Sequence, residues 1–353
     1  MSSMGILEVA PLCAASAVIT GLICHFAAPI GRAVGVTDRP DGDRKLHLKA
    51  TPLMGGPAIM VPALATSFIS YAKLSFPPIM LVALVAALAA FVIGVIDDRV
   101  ELSALSRVGL LTAVIAAVLV IDPLFVLHTF VFKIFGIAIS MTAPDLLAGP
   151  FVVLMMLGFV NAANMADGMN GQLLGSVMLW SAFIVHYMGL VTGLPYIFLI
   201  VSSLVAFVFN LQGKLFTGSS GAYAMSLFVG FGAIAAYRLA NGAMHAQVPV
   251  YWFWLPVIDC VRLMISRVLN GQSPFAADRN HFHHMLLEHM RPSRALTLYL
   301  VLLAAPGIAA MISEEAASIT LLLCIALYGM FIAAKGGRLN IGWLSPASRR
   351  EQI

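Results

Sequence analysis

Long stretches without Asp, Glu, Lys or Arg dominate the chain. They run from Val9 to Gly31, Ala50 to Ala72, Leu74 to Ile96, Leu146 to Ala166, Leu215 to Tyr237, Leu239 to Ile258, Ala295 to Ser313 and Ala316 to Ala334. Each approaches the ~20 residues that a helix needs to cross the hydrocarbon core of a bilayer. A longer uncharged run, Gly168 to Gly213, is interrupted between Gly189 and Pro195, which predicts two helices joined by a short turn. Val108 to Ile121 adds a shorter span, so the pattern predicts about eleven transmembrane helices. Asp122 to Asp145 is different, with aromatic and β-branched residues (Phe125, Val126, Phe130, Val131, Phe132, Ile134, Phe135, Ile137) around a turn candidate, Gly136. A twelfth span is one reading of it. Lys133 and the flanking acids favour a β-hairpin near 123–142 outside the membrane.

The distribution of basic residues decides between these readings and orients the chain. With eleven spans and the N-terminus outside, Lys73, Lys133 and Arg238 face one side, and the other seventeen of the 20 lysines and arginines face the other. Short cytoplasmic loops retain such residues, so the richer side is expected to be cytoplasmic, together with the C-terminus. A twelfth span would flip everything after it and abolish this asymmetry. The fold class expected is therefore an all-α polytopic membrane protein: a single transmembrane catalytic domain over 1–353, with a cytoplasmic His-containing loop at 262–294 and a basic tail at 335–353.

Composition agrees. Hydrophobic residues make up 61% of the chain and charged residues 10%, against roughly 25% charged in soluble domains. A net charge of +4 then reflects topology and anionic lipid rather than nucleic acid. The first apolar segment has no basic flank before it and is long enough to span, so no cleavable signal peptide is expected. Cys13, Cys24, Cys260 and Cys324 lie in apolar stretches without metal-ligand spacing and are read as packing residues.

The unusual polar residues gather in five loops of the basic side: Val36 to Gly56, Asp97 to Arg107, Asn161 to Gly171, Lys214 to Gly221, and Arg262 to Arg294. Asp97 and Asp98 end a span, where ionised acids are costly unless paired or used. Two adjacent carboxylates repel, and a hydrated Mg²⁺ shared with substrate phosphates would relieve that. Plain solvation of a helix end is the competing reading. Asn161 and Asn164 are three apart and share a helix face, and the turn-forming pairs Asp167-Gly168 and Asn170-Gly171 follow them. Such a loop suits a nucleotide or sugar phosphate more than a plain interhelical turn.

His281, His283 and His284 follow Arg279, and His289 lies beyond them. Nothing nearby closes a tetrahedral zinc set. Beside Arg262, Arg267 and Arg279, these imidazoles are better suited to donate to a pyrophosphate. Arg44, Lys45, His47 and Lys49 precede Gly55 and Gly56, where a lipid phosphate could be received, although Lys49 reads as an ordinary membrane anchor. His25, His128, His186 and His245 are expected to be packing or interfacial residues. Asp259, beside Pro256, is the only acid near a membrane midplane; its segment is expected to bend and bring it to the cytoplasmic site.

Taken in order, DRPDGDRKLH with TPLMGG, then GVIDDR, NAANMADGMNG and SPFAADRNHFHHML resemble the motifs of the polyprenyl-phosphate N-acetylhexosamine-1-phosphate transferases, from about Gly35 to His289. The HFHH form is similar to the undecaprenyl-phosphate GlcNAc-1-phosphate transferase branch. Four ordered motifs are far more specific than one short pattern. The resemblance implies that a lipid phosphate attacks the β-phosphorus of a UDP-N-acetylhexosamine, releasing UMP and initiating a lipid-linked surface glycan (cell wall, O-antigen or lipopolysaccharide) at the cytoplasmic face of the cell membrane. It implies Mg²⁺, with Mn²⁺ as an alternative, and a homodimer. By the same resemblance Asp97 and Asp98 bind or deprotonate the lipid phosphate beside the metal, and Asn164 is a metal ligand. Asn161, Asp167, Gly168 and Asn170 hold the nucleotide sugar. Lys45, Arg279, His281, His283 and His284 contact phosphates.

One departure stands out. Where the family has a metal-binding Asp in Phe-x-Gly-Asp-x-Gly-Ser, the sequence Phe216-Thr217-Gly218-Ser219-Ser220-Gly221 places Ser219, a weaker ligand for a hard dication. Asn170 is a smaller departure, since many relatives have Asp there. Ser219 motivates a second reading, a catalytically weak or inactive relative that binds polyprenyl phosphate or UDP-sugar as a scaffold or regulator. A transporter is a third, and it would require acids and helix breaks at the midplane.

Overall fold

In the computed structural model of the chain, the described residues are 6–38, 50–73, 77–134, 136–240, 242–274 and 280–335. Thirteen helices are found among them: α1 (Ile6–His25), α2 (Ala27–Val34), α3 (Gly55–Lys73), α4 (Pro78–Val100), α5 (Ala104–Ile121), α6 (Asp145–Met165), α7 (Gln172–Met188), α8 (Leu194–Leu211), α9 (Gly218–Leu239), α10 (Val248–Leu269), α11 (Phe282–His289), α12 (Pro292–Ala310) and α13 (Glu314–Lys335). This is an all-α membrane architecture. Among the described residues, eight helices are long and apolar enough to cross a bilayer, or nine if α1 and α2, bent by 68°, form one span. The charge-free runs predict eleven. The difference lies in α3, whose glycines, prolines and hydroxyl residues lower its hydropathy, and in α7, which is only 17 residues long.

Two short antiparallel pairings accompany the helices. β1 (Thr37–Asp38) pairs with β2 (Thr51–Pro52), and β3 (Thr129–Ile134) pairs with β4 (Ile137–Thr142) in a register running from Thr129 opposite Thr142 to Ile134 opposite Ile137. A single 3₁₀ turn, Pro123–Phe125, precedes the hairpin, which is therefore shorter than the stretch expected to form it. The hairpin is tied to the α9–α10 connection: Ala246 donates to the Val131 carbonyl at 2.8 Å, and Gln247 exchanges side-chain hydrogen bonds with the Lys133 backbone at 3.1 and 2.7 Å.

α9 is the central helix. Apart from its ends it is buried along its length, against α3, α4, α6 and α7. A helix that is buried all round must be apolar all round, and in lipid close packing depends on small residues at the contact. α4 supplies Ala83, Ala87, Ala90 and Gly94, all buried, along the face that meets α9. At Gly94 and Gly56 the approach is closest, because a β-carbon at either would collide with Ser220 or Gly221 backbone. α9 therefore begins wedged between α3 and α4, one turn from the acids that close α4.

The helices alternate in direction, so the ends of α4, α6, α8 and α10 and the starts of α3, α5, α7, α9 and α12 gather at one end of the bundle. The β3–β4 hairpin lies at the other. α10 runs through Pro256 as one helix to Leu269, so Arg262 and Arg267 sit on its last turns rather than in a loop.

Candidate active site

α4 delivers two carboxylates to the crowded end, and they do different work. Asp97 is buried; its Oδ1 accepts the Leu102 amide at 2.8 Å, and its Oδ2 accepts the Tyr223 hydroxyl at 2.8 Å with Arg107 Nη1 at 3.8 Å. Asp98, half-buried, caps α9: Oδ1 accepts the Ser219 amide at 2.7 Å and Oδ2 the Ser220 amide at 3.0 Å. A helix N-terminus offers free amides and positive partial charge, and a carboxylate there is stabilised by both. The start of α9 is held in turn by the first residues of α3, since Gly55 and Gly56 donate to the Phe216 and Thr217 carbonyls at 2.9 and 2.8 Å. Those amides are thus engaged by protein.

The α6–α7 loop reaches the same place. Asn161 and Asn164 occupy the last turns of α6, and the Asn161 amide donates back to the Leu157 carbonyl at 2.8 Å. Asp167 follows the helix. Burial pushes its carboxyl up to about 7, the neighbouring Asp98 charge adds to the rise, and the Thr217 hydroxyl opposes it. Gly168 and Asn170 are exposed, and Gly171 starts α7 with φ +83°, the left-handed region that favours glycine. Asn210 locks this loop to the next one: its Oδ1 accepts the Gly171 amide at 2.5 Å and its Nδ2 donates to the Leu215 carbonyl at 2.9 Å.

The histidines come in from the α10–α11 side. His281 precedes α11 and His283 lies in its first turn, both buried, with their rings stacked at 5.5 Å and 9°; His284 is half-buried with its ring 4.2 Å from that of His283. His283 Nε2 is buried with no hydrogen-bond partner among the described residues, and it lies so close to Gly168 that a β-carbon there would collide with it. Burial first, then His284 and His281, hold His283 well below the ordinary imidazole range, against the opposing pull of Asp259. At neutral pH His283 is an uncharged donor or acceptor.

The structure therefore brings Asp98, Asp167, Gly168, Ser219 and His283 together, through contacts that chain α4 to the α8–α9 loop, the α6–α7 loop and α11. Lys45 and Arg279 lie outside the described residues. Ser219 contributes its backbone amide to Asp98. Two carboxylates that repel each other, with the Asn164 amide one turn before Asp167, are a hard oxygen set of the kind that holds Mg²⁺ together with substrate phosphates. Among the described residues no three His, Cys, Asp or Glu side chains cluster as a closed metal site. Tyr223, Arg107 and Asn210 were not singled out from the sequence. Asn210, an amide at the end of a long apolar run, carried a signal, whereas Tyr223 looks like any core aromatic.

Residues 80–237 match the glycosyl transferase family 4 profile. The chain is similar to the undecaprenyl-phosphate alpha-N-acetylglucosaminyl 1-phosphate transferase of Escherichia coli (strain K12), 29% identical over 89% of this chain and 88% of that protein. It is 28% identical to the enzyme of the same name from Salmonella typhi, over the same shares of the two chains. A probable undecaprenyl-phosphate N-acetylglucosaminyl 1-phosphate transferase of Bacillus subtilis (strain 168) is 28% identical over 79% of this chain and 78% of its own. The matched profile runs from the apolar body of α4 through both acids and the Asn/Asp-Gly loop to the end of the central helix, so the similarity to glycosyl transferase family 4 covers the elements that carry the candidate site.

Proposed function

We propose that the protein transfers an N-acetylhexosamine 1-phosphate from a UDP-sugar to undecaprenyl phosphate at the cytoplasmic face of the membrane, the first step in building a lipid-linked glycan. An oxygen of the lipid phosphate attacks the β-phosphorus, a new P–O–P bond forms, the bond from that phosphorus to the bridging oxygen breaks, and UMP leaves. The observation that carries this reading is the meeting of Asp98, Asp167 and His283 at the start of α9. The named relatives act on undecaprenyl phosphate, and the basic residues favour the same end of the bundle as the cytoplasmic one.

In-line phosphoryl transfer depends mainly on positioning and charge neutralisation. Asp98, held by two amides, lies near enough to Asp167 to raise its pKa, and its remaining lone pairs would be available to a bound cation. Bound Mg²⁺ would neutralise the diphosphate and steady the departing UMP, with Asp98, Asp167 and Asn164 as its protein ligands. Asn161, Gly168 and Asn170 line the approach of the nucleotide sugar. His283 Nε2, buried and unpaired, is available to a phosphoryl oxygen, and His281 and His284 flank it. Asp97 works one step back, holding Arg107 and Tyr223 at the edge where the lipid head group arrives. Lys45 and Arg279 belong to the same proposal as phosphate contacts.

The test is UMP release from purified protein given UDP-GlcNAc, undecaprenyl phosphate and Mg²⁺. Turnover that Asp98→Asn lowers at least 100-fold supports the reading. Substrate binding without turnover, restored by Ser219→Asp, would establish the scaffold reading instead.

A further inference from the structure

Asp259 lies 22 positions before His281 and looks, in sequence, like an awkward acid in an apolar helix. In the structure it is buried and saturated with donors. Its Oδ1 accepts Arg262 Nη2 at 2.7 Å and the Tyr328 hydroxyl at 2.8 Å, while its Oδ2 accepts His281 Nδ1 at 3.0 Å and the Phe282 amide at 3.2 Å. Arg262 in turn donates to the Tyr328 hydroxyl at 2.7 Å and to the Asn280 carbonyl at 2.6 Å. One carboxylate thus ties α10, the entry to α11, and α13.

We infer that Asp259 is a positioning residue for phosphoryl transfer, fixing the tautomer and ring plane of His281 and thereby the stacked His281–His283 pair against Gly168. This rests on the proposed transferase reading. A carboxylate with no proton to give requires the hydrogen of His281 to sit on Nδ1, which leaves the lone pair on Nε2, where it can take up a proton and then donate it in a hydrogen bond to a phosphate oxygen. Carboxylates that orient an imidazole in this way set its tautomer without touching substrate. The Phe282 amide bond to the same oxygen holds the backbone on which the ring is mounted. The parallel stack with His283 passes that orientation on to the unpaired Nε2 beside Gly168. Solvation does not account for the arrangement, because a merely solvated acid would not be buried with four protein donors.

The full-length protein in detergent tests this by UMP release from UDP-GlcNAc and undecaprenyl phosphate. Asp259→Asn should lower kcat about 10- to 100-fold, the usual loss when a partner orienting a functional imidazole is removed, with KM for UDP-GlcNAc changed less than about threefold. His281→Asn should cost a similar factor. The double variant should be no slower than the slower single variant, since both remove one device. Losses that multiply in the double variant, or Asp259→Asn turnover within about twofold of wild type, would overturn the inference. If Asp259→Asn does not yield folded protein, Asp259→Glu, which keeps the charge that Arg262 needs but displaces the oxygen from Nδ1, carries the same cycle. Wild-type protein that releases no UMP would instead sink the transferase reading and this inference with it.

Discussion

Asp98 accepts the backbone amide of Ser219 at 2.7 Å. Ser219, the position at which the family resemblance implies a metal-binding Asp, therefore touches the acidic motif through its main chain and offers a hydroxyl where that resemblance implies a carboxylate. A third carboxylate at that point would join Asp98 and Asp167 in a crowded anionic corner, which has two consequences of opposite sign.

Ser219→Asp should lower the Mg²⁺ concentration needed for half-maximal UMP release, by on the order of tenfold, because a carboxylate replaces a neutral ligand for a hard dication. Without divalent cation the same variant should melt at a lower temperature than wild type, since like charges are then unrelieved. Magnesium titrations of turnover and of melting temperature check the two halves.

Gly168→Ala should be far more disruptive than its exposure suggests. Its β-carbon would collide with His283, and overpacking of this kind typically costs about 1–3 kcal/mol. Activity should fall with stability. Shortening the obstacle in Gly168→Ala/His283→Ala should recover the melting temperature but not UMP release, which separates packing from chemistry.

Asp167, with its carboxyl pushed up to about 7, gives the metal-free protein a definite pH dependence. A raised folded-state value means that the native protein holds this proton more tightly than the unfolded chain does. The contribution is complete below the ordinary value of 3.8 and is lost as pH rises through about 7. Asp167 is half-buried, so after solvent screening about 1 kcal/mol is expected. Melting in chelator from pH 5 to 8 should decline for wild type and stay flatter for Asp167→Asn.

Asn210→Ala should destabilise by about 2–3 kcal/mol, since it removes two hydrogen bonds and leaves the Gly171 amide and Leu215 carbonyl unpaired in a buried place. Thermal unfolding measures it. Turnover should fall as well, because Asn210 is what joins the Asn/Asp-Gly loop to the loop that starts α9.

Charge-free runs of near-membrane length, the segregation of basic residues and four ordered motifs were all readable in the sequence, because they depend on composition and local spacing. The acids at the end of α4, the asparagines one turn apart on α6 and the histidines near α11 could be identified by the same local logic. Which of two adjacent acids faces the site could not. Asp97 is turned to Arg107 and the Tyr223 side chain, and Asp98 to the first backbone amides of α9, because a helix places successive side chains about 100° apart, and only the neighbours decide what each direction meets. The packing of α9 against Gly56 and Gly94, the contact of Gly168 with His283, and the bond from Asp259 to His281 likewise join residues distant along the chain. Those pairings were decided by tertiary structure, since close packing in lipid selects partners by shape and by unsatisfied polar groups rather than by position in sequence.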